Sequence, residues 1–285
     1  MVEHTGLVGA KPSITMIDSH VHVWQNDPRF PFSPERKAPD YDATPEMLMD
    51  LMKANGVLRT VLVQMIVYTW DNRYLADVLK RYPQYFCGVC RVNPEDPAAP
   101  DTLSELVEKD GFAGLRISPY ASERYDWIGG PLMAPLWKRC ADLKIPMTVL
   151  TEGVRLKTIS GLIERYPELV VVIDHMADIR PDDQRYLSDL LSLARYPKVY
   201  VKISHPWSLS TQGFPYPDVF EQIKKLFDCF GAKRLMWATD WPISTSKIRY
   251  DHIVELYRDH LGFLSLEDRE QVLYKTVQAI WPFGL

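Results

Sequence analysis

Cysteine, positive charge and long apolar segments are all scarce in this chain of 285 residues. Its four cysteines are sparse, which favours reduced thiols in a cytoplasmic protein over a disulfide framework. Cys87 and Cys90 form a C-x-x-C inside the apolar run 86–92, so we predict that they are buried structural cysteines. No apolar run approaches the roughly 18 residues of a membrane span, and no signal-peptide pattern opens the chain. We therefore expect neither membrane insertion nor export.

Basic residues do not outnumber acidic ones, since 33 Lys and Arg face 37 Asp and Glu and the formal net charge is -4. No basic patch stands out, which argues against nucleic acid or an anionic membrane surface as a partner. No Gly/Ser-rich or charged linker divides the chain either. We expect a loose N-terminus over residues 1–15 and a single domain over 16–285. The sequence leaves homo-oligomeric assembly open, because it does not show which helix faces are exposed.

What the chain does contain is a regular alternation of apolar strands and amphipathic helices. The segment 60–65 is β-branched and almost continuously apolar, the pattern of a parallel strand buried on both faces. Eight such strands are predicted, at 16–23, 60–65, 86–92, 112–118, 146–151, 170–174, 199–204 and 235–240. Eight helices fit after them, at 45–55, 71–82, 101–109, 131–143, 155–166, 181–194, 215–230 and 250–260. This count predicts an α/β protein with a (β/α)8 TIM barrel.

An open doubly wound sheet is the main rival, but no G-x-G-x-x-G or phosphate-loop glycine pattern follows the first strand. Two further segments stand outside the alternation. A loop over 25–42, rich in proline and aromatic residues, is long enough to predict a functional cover. A C-terminal extra helix begins at the capping box 265–268 and runs to about 280, where we expect it to close the barrel.

Two histidines stand two residues apart in the first predicted strand. Alternate side chains of a strand share a face, so Asp18, His20, His22 and Trp24 are expected to project together. A pair of imidazoles can hold a divalent metal through ring nitrogens, or can donate hydrogen bonds to a polarised carbonyl. The spacing alone fits an edge-strand pair without a function equally well.

Polar side chains also follow the later strands, and the chemistry of a (β/α)8 barrel belongs at those ends. These residues are Arg116 and Ser118, Thr151 and Glu152, Asp174 and His175, Lys202, Ser204 and His205, and Thr239, Asp240 and Trp241. Asp240 is suited to act as a general base on water. His175 and the first-strand histidines are suited to hold a metal or to polarise a carbonyl.

Arg116 and Lys202 are suited to bind a substrate carboxylate or phosphate, although either fits half of an internal salt bridge as well. The stretch 239–242 also fits a capped turn without a function. Taken together, however, so many ionisable groups at separate strand ends indicate hydrolysis of an acyl bond.

Four stretches resemble strand-end motifs of the amidohydrolase superfamily: Asp-Ser-His-Val-His at 18–22, Ile-Asp-His-Met at 173–176, Tyr-Val-Lys-Ile-Ser at 200–204 and Trp-Ala-Thr-Asp-Trp-Pro at 237–242. The resemblance spans residues 16–280. It is closest to the amidohydrolase-related branch, which holds pyrone, muconolactone and sugar-acid lactonases and also decarboxylases. It implies that His20 and His22 occupy the first-strand ligand positions. It also implies that His175 is the sixth-strand histidine and that Asp240 deprotonates the hydrolytic water.

The chain departs from the fuller metal site of this family at two strands. Strand 4 offers Arg116 instead of a carboxylated lysine, and strand 5 offers Thr151 and Glu152 instead of a histidine. The resemblance therefore implies one divalent metal, zinc, rather than two. Its ligands would be the first-strand histidines and Asp240, with Glu152 as an extra ligand. The alternative is a metal-free site in which histidines polarise the carbonyl unaided.

On these grounds we expect a cytoplasmic hydrolase that opens a small, anionic, carboxylate-bearing lactone held by Arg116 and Lys202. The residues expected to line its pocket are Tyr68, Trp70, Tyr120, His205 and Trp241. A metal-dependent nonoxidative decarboxylase is the alternative within the family, and the missing strand-5 histidine argues against it. A non-catalytic binding barrel is the alternative outside the family, and it is hard to reconcile with so many polar strand ends.

Overall fold

The computed structural model describes residues 14–118, 127–130 and 133–283, so nearly all of the predicted loose N-terminus lies outside the described residues. The strands are β1 Met16–Val21, β2 Val57–Val63, β3 Phe86–Val89, β4 Leu115–Ile117, β5 Met147–Val149, β6 Val171–Ile173, β7 Val199–Lys202 and β8 Leu235–Met236. The helices are α1 Pro45–Asn55, α2 Arg73–Arg81, α3 Ala99–Asp110, α4 Met133–Leu143, α5 Leu156–Arg165, α6 Gln184–Ser192, α7 Pro206–Leu209, α8 Pro217–Phe230, α9 Tyr250–Asp259, α10 Leu266–Glu270 and α11 Thr276–Ile280. None of the described helices combines the length and apolarity needed to cross a bilayer.

The strands pair in parallel, in the order β1-β2-β3 and β4-β5-β6-β7-β8. Backbone hydrogen bonds continue across both junctions between these two groups. Between β3 and β4, the Arg116 amide donates to the Cys90 carbonyl at 2.8 Å. Between β8 and β1, the Asp240 amide donates to the His20 carbonyl at 3.0 Å. The strands thus follow one another around a ring, and the predicted (β/α)8 barrel is confirmed.

The first helix shows how closely local sequence determines an element. Thr44 caps α1 by accepting a hydrogen bond from the Met47 amide at 3.3 Å, and Pro45 occupies the first turn. Gly56 ends the helix with φ +73°, a left-handed conformation that suits glycine. The predicted bounds 45–55 are therefore confirmed.

Apolar side chains fill the barrel interior beneath the strand ends. They are Ile17, Val61, Val63, Cys87, Val89, Val172, Met236, Val277 and Trp281. Because they come from strands of both groups, they meet inside the ring. Trp281, after α11, packs beside Gly114, the residue that precedes β4. The C-terminal segment therefore closes the end of the barrel where the strands begin, as predicted.

The proline-rich loop over 25–42 packs onto the segment after β2. The Ser33 amide donates to the Val67 carbonyl at 2.8 Å, and the Phe32 ring lies 5.1 Å from the Tyr68 ring. Phe30 similarly contacts Tyr74, with 5.8 Å between ring centroids. Aromatic contacts therefore hold the loop beside the strand ends, next to the cavity described below.

Candidate active site

A cavity of about 220 Å³ lies at the carboxyl ends of the strands. Every strand end contributes to its wall: His22, Ile66, Arg91, Arg116, Leu150, His175, His205 and Asp240. The strand ends therefore converge on one site, as the barrel predicts. Its volume suits a molecule of about one ring.

Four of the lining residues have left-handed backbone conformations. The φ angles are +50° at His175 and at Asp178, +65° at His205 and +55° at Asp240. The whole turn 175–178 after β6 is left-handed, although it contains no glycine. Each such residue costs on the order of 1–3 kcal/mol, and strain of this kind concentrates at functional sites. The turns after β6, β7 and β8 thus deliver these side chains to the cavity at a cost to stability.

His20, His22 and Asp240 bring three ligand atoms close together. His20 Nε2 and His22 Nε2 are 3.2 Å apart, and they lie 3.6 Å and 3.4 Å from Asp240 Oδ1. Ligand atoms about 2.0–2.1 Å from a tetrahedral zinc ion stand about 3.4 Å apart, so the observed spacing fits such an ion. His22 Nδ1 donates to the Val63 carbonyl at 2.7 Å, so Nε2 is the ring nitrogen that faces His20 and Asp240. His175 joins the group, because a ligand atom from each of His20, His175 and Asp240 lies within 4.8 Å of the others.

The ring proton of His20 can lie on either nitrogen, and its position decides what Nε2 offers to this group. Its Nδ1 lies 3.0 Å from Lys202 Nζ and 3.5 Å from Asp174 Oδ1. When Nδ1 accepts from the ammonium, the ring proton is on Nε2 and faces His22. When the proton is on Nδ1 and faces Asp174, Nε2 is free to bind a metal. Burial and the charge of Lys202 hold the pKa of His20 well below its usual value, so the ring is neutral.

Asp174 is a buried carboxylate that pairs with the positive side chains beneath the cavity. Its carboxylate accepts from Arg116 Nε at 3.0 Å and lies 3.0 Å from Lys202 Nζ. Burial alone would raise the pKa of Asp174, but Lys202, His20 and Arg116 hold it well below the usual value. Lys202 is wholly buried and does not line the cavity, so the predicted substrate contact at Lys202 is wrong and the salt-bridge alternative holds. Arg116 fits both predictions, because it forms the internal salt bridge with Asp174 and also lines the cavity.

A second ionic pair joins Asp240 to His205. His205 Nε2 lies 2.6 Å from Asp240 Oδ2, and its ring stacks on His175 at 3.5 Å. Burial alone would lower the pKa of His205, but Asp240 and Asp178 raise it to about 9. Burial would raise the pKa of Asp240, yet His205, His22 and His175 hold it well below its usual value. The pair is therefore a carboxylate and an imidazolium at neutral pH.

His175 stays neutral beside this pair, because burial and the charge of His205 hold its pKa well below the usual value. Its Nδ1 lies 2.7 Å from the Ser204 hydroxyl. The arrangement leaves one anionic oxygen and several neutral imidazole nitrogens around the same point. Such a set can accept a proton from water and polarise a carbonyl.

Glu152 does not take the place predicted for it. β5 ends at Val149 and Leu150 lines the cavity, so Glu152 lies two residues too far along the chain. Its exposed carboxylate accepts from Arg155 Nη1 at 2.7 Å. The predicted extra metal ligand at Glu152 is therefore wrong.

Two predicted pocket residues, Tyr68 and Trp241, also lie elsewhere. The Tyr68 hydroxyl is turned to the loop over 25–42, where it donates to the Gln25 carbonyl at 3.1 Å. Trp241 is buried and lines a separate surface hollow between α1 and α9. Trp24 is likewise turned away from His22, since its indole donates to the Tyr41 carbonyl. Tyr120 lies outside the described residues.

Arg91 is a cavity residue that the sequence analysis missed. It follows β3, is only 1% exposed, and lines the cavity. The guanidinium has no hydrogen bond or ion pair to any residue in the described part of the chain, and its Nε atom is buried. The signal was present, because an arginine interrupts the apolar run 86–92. That run was interpreted only as a core strand.

A (β/α)8 barrel with buried histidines and a carboxylate at the carboxyl ends of its strands defines an enzyme of the class that carries its active site there. The chain belongs to the amidohydrolase family, whose model matches residues 17–283. L-fucono-1,5-lactonase of Burkholderia ambifaria is 32% identical over 238 residues, 80% of each chain. 2-Pyrone-4,6-dicarboxylate hydrolase of Comamonas testosteroni is 28% identical over 282 residues, 93% of this chain and 90% of that one. A crystal structure of a candidate 2-pyrone-4,6-dicarboxylic acid hydrolase from Pseudomonas putida has a TM-score of 0.82 at 28% identity, and covers 95% of this chain and 99% of that one.

Proposed function

We propose that this enzyme hydrolyses a small lactone, with Asp240 as the general base. The observation that carries the proposal is the position of Asp240, an ionised carboxylate that lines the cavity 3.4 Å from His22 Nε2. The relatives named as lactonases and a pyrone hydrolase support a cyclic ester as the substrate. A cavity of about 220 Å³ is consistent with one ring.

Asp240 would take a proton from water as the water oxygen attacks the lactone carbonyl carbon. The imidazole rings of His20 and His22 would stabilise the negative charge that develops on the carbonyl oxygen. When the ring carbon–oxygen bond breaks, Asp240 would return the proton to the leaving oxygen. His205 keeps Asp240 oriented and ionised before attack, through the 2.6 Å contact with Oδ2.

His20, His22 and Asp240 would hold one divalent cation, and zinc suits two imidazoles and a carboxylate. Such an ion, when bound, polarises the carbonyl oxygen and lowers the pKa of water. The chain prepares the site by fixing the His22 tautomer through Val63 and by keeping His20 neutral. Lys202 and Asp174 together can accommodate the His20 proton on either nitrogen.

A pH-indicator screen over lactones and esters tests the proposed activity. We expect acid release from carboxylate-bearing lactones and none from open-chain amides, because a lactone is an activated ester. Carbon dioxide release from aromatic or unsaturated acids, without lactone opening, would instead identify a decarboxylase. Absence of both activities would contradict an enzyme of either kind.

Removal of metal is expected to lower lactone turnover by at least about 100-fold, since Lewis acidity contributes several kcal/mol. The measurement is elemental analysis of purified protein, followed by chelation, assay and readdition of zinc. His22→Ala should reduce the bound zinc, whereas His260→Ala should not, because His260 is half-exposed and lies beside Glu255. Full activity in metal-free protein would refute the role of zinc and leave histidines alone to polarise the carbonyl.

A further inference from the structure

We propose that Arg91 forms an anion subsite that binds a carboxylate substituent on the lactone ring. This inference rests on the proposed function and narrows its substrate class. It assigns recognition of the substrate carboxylate to Arg91, whereas the sequence predicts Arg116 and Lys202 for this role. A neutral sugar lactone would leave Arg91 without a partner, and a ring carboxylate would supply one.

Arg91 is a buried cation that has no counterion among the residues that the structure describes. Arg116 and Lys202, the other two buried cations at these strand ends, both contact the Asp174 carboxylate. Arg91 has no such partner among the described residues, although it is as buried as they are. Burying an unpaired charge is costly, so a protein rarely retains one without a ligand to pair with it.

Neighbouring side chains hold Arg91 in position. Asn72 binds both backbone groups of Arg91, since its Oδ1 accepts from the amide at 3.0 Å and its Nδ2 donates to the carbonyl at 2.8 Å. The guanidinium lies 5.1 Å from the centre of the Trp70 ring. These contacts orient the side chain without neutralising its charge. A planar guanidinium held in this way is suited to two parallel hydrogen bonds with a carboxylate.

The charged residues around the cavity lie on two opposite walls. In a ring of eight strands, β3 lies across from β7 and β4 lies across from β8. Arg91 and Arg116 therefore face the wall that carries His205 and Asp240. Burial, together with the positive charges of Arg116 and Arg36, lowers the pKa of Arg91 to about 9. An anionic substituent would relieve this repulsion, and it would direct the opposite side of the ring, with its carbonyl, to Asp240.

The kinetic test uses 2-pyrone-5-carboxylate, whose carboxylate lies across the ring from the lactone carbonyl, and the matching 5-carboxamide. We expect Arg91→Met to lower kcat/KM for the carboxylate about 10- to 100-fold, mainly through KM, and to change the carboxamide less than about twofold. Arg91→Lys should retain part of the preference, because it keeps the charge but loses the bidentate geometry. Equal losses on both lactones would overturn the proposal.

A binding test separates this inference from the proposed function. Terephthalate, a planar dianion that cannot be hydrolysed, should raise the Tm of the wild-type protein but not of Arg91→Met, and neutral terephthalamide should raise neither. If no lactone is hydrolysed but terephthalate binding depends on Arg91, the subsite stands and the hydrolase proposal falls. In the opposite case, lactones are opened, but Arg91→Met affects the carboxylate and carboxamide lactones equally and still binds terephthalate. The subsite then falls and the hydrolase proposal stands.

Stability distinguishes ligand binding from a structural role. Arg91→Met removes a buried cation that pairs with no residue in the described ranges, so we expect an unchanged or higher Tm without ligand. A lower Tm would assign Arg91 to the fold and count against the proposal. Arg73→Met is the matched control, because Arg73 is exposed and pairs with Asp71, and it should behave as wild type in both ligand tests.

Discussion

Asp240→Asn is expected to lower kcat/KM on a lactone substrate by about 10²- to 10⁴-fold, the usual contribution of a general base. Asparagine preserves the volume of the side chain but cannot accept a proton from water. It is also a poorer metal ligand than a carboxylate, and it leaves protonated His205 without the anion that lies 2.6 Å away. Steady-state kinetics on the best lactone of the screen would measure the loss.

Asp251→Asn provides the control for this substitution. Asp251 is partly exposed and its carboxylate pairs with the exposed Arg249 at 2.7 Å. The same chemical change there should leave turnover within about twofold of wild type, because exposed ion pairs contribute little. Wild-type kinetics in Asp240→Asn would refute the proposed mechanism.

Asp174→Asn is expected to lower the free energy of unfolding by about 3–5 kcal/mol, the cost of breaking a buried ion pair. Asp174 is wholly buried, and its carboxylate pairs with the positive charges of both Arg116 and Lys202. In the variant both cations would keep their charge without this partner. The Lys202 ammonium also lies beside His20 Nδ1, so activity should fall with stability. Urea unfolding followed by circular dichroism would measure the change.

Asp142→Asn is the surface counterpart, since Asp142 pairs with Lys138 at 2.7 Å and both side chains are more than half exposed. It should cost less than about 1 kcal/mol. Adding Lys202→Met to Asp174→Asn should recover part of the lost stability, because one uncompensated buried charge is removed. Equal unfolding free energies for Asp174→Asn and Asp142→Asn would show that the buried network contributes little.

The sequence by itself determined the barrel and most of the residues that lie around Asp240. Periodic apolar patterns report local secondary structure, and eight strand and helix units leave few ways to bury the strands. Parallel strands put their carboxyl ends on one rim, so the sequence predicts that the side chains of His20, His22, His175 and Asp240 meet there. The structure brings these four together.

Only the tertiary structure decided which charges are paired and which face the cavity. Arg116 and Asp174 are 58 positions apart, and Lys202 and His20 are 182 apart, so no local pattern reports either contact. β5 ends two residues before the predicted strand end, so Glu152 lies outside the site. Arg91 follows the end of β3 and lies inside the site. The energy of a buried charge depends on neighbours from other strands and on exclusion of water, and both exist only once the barrel has closed.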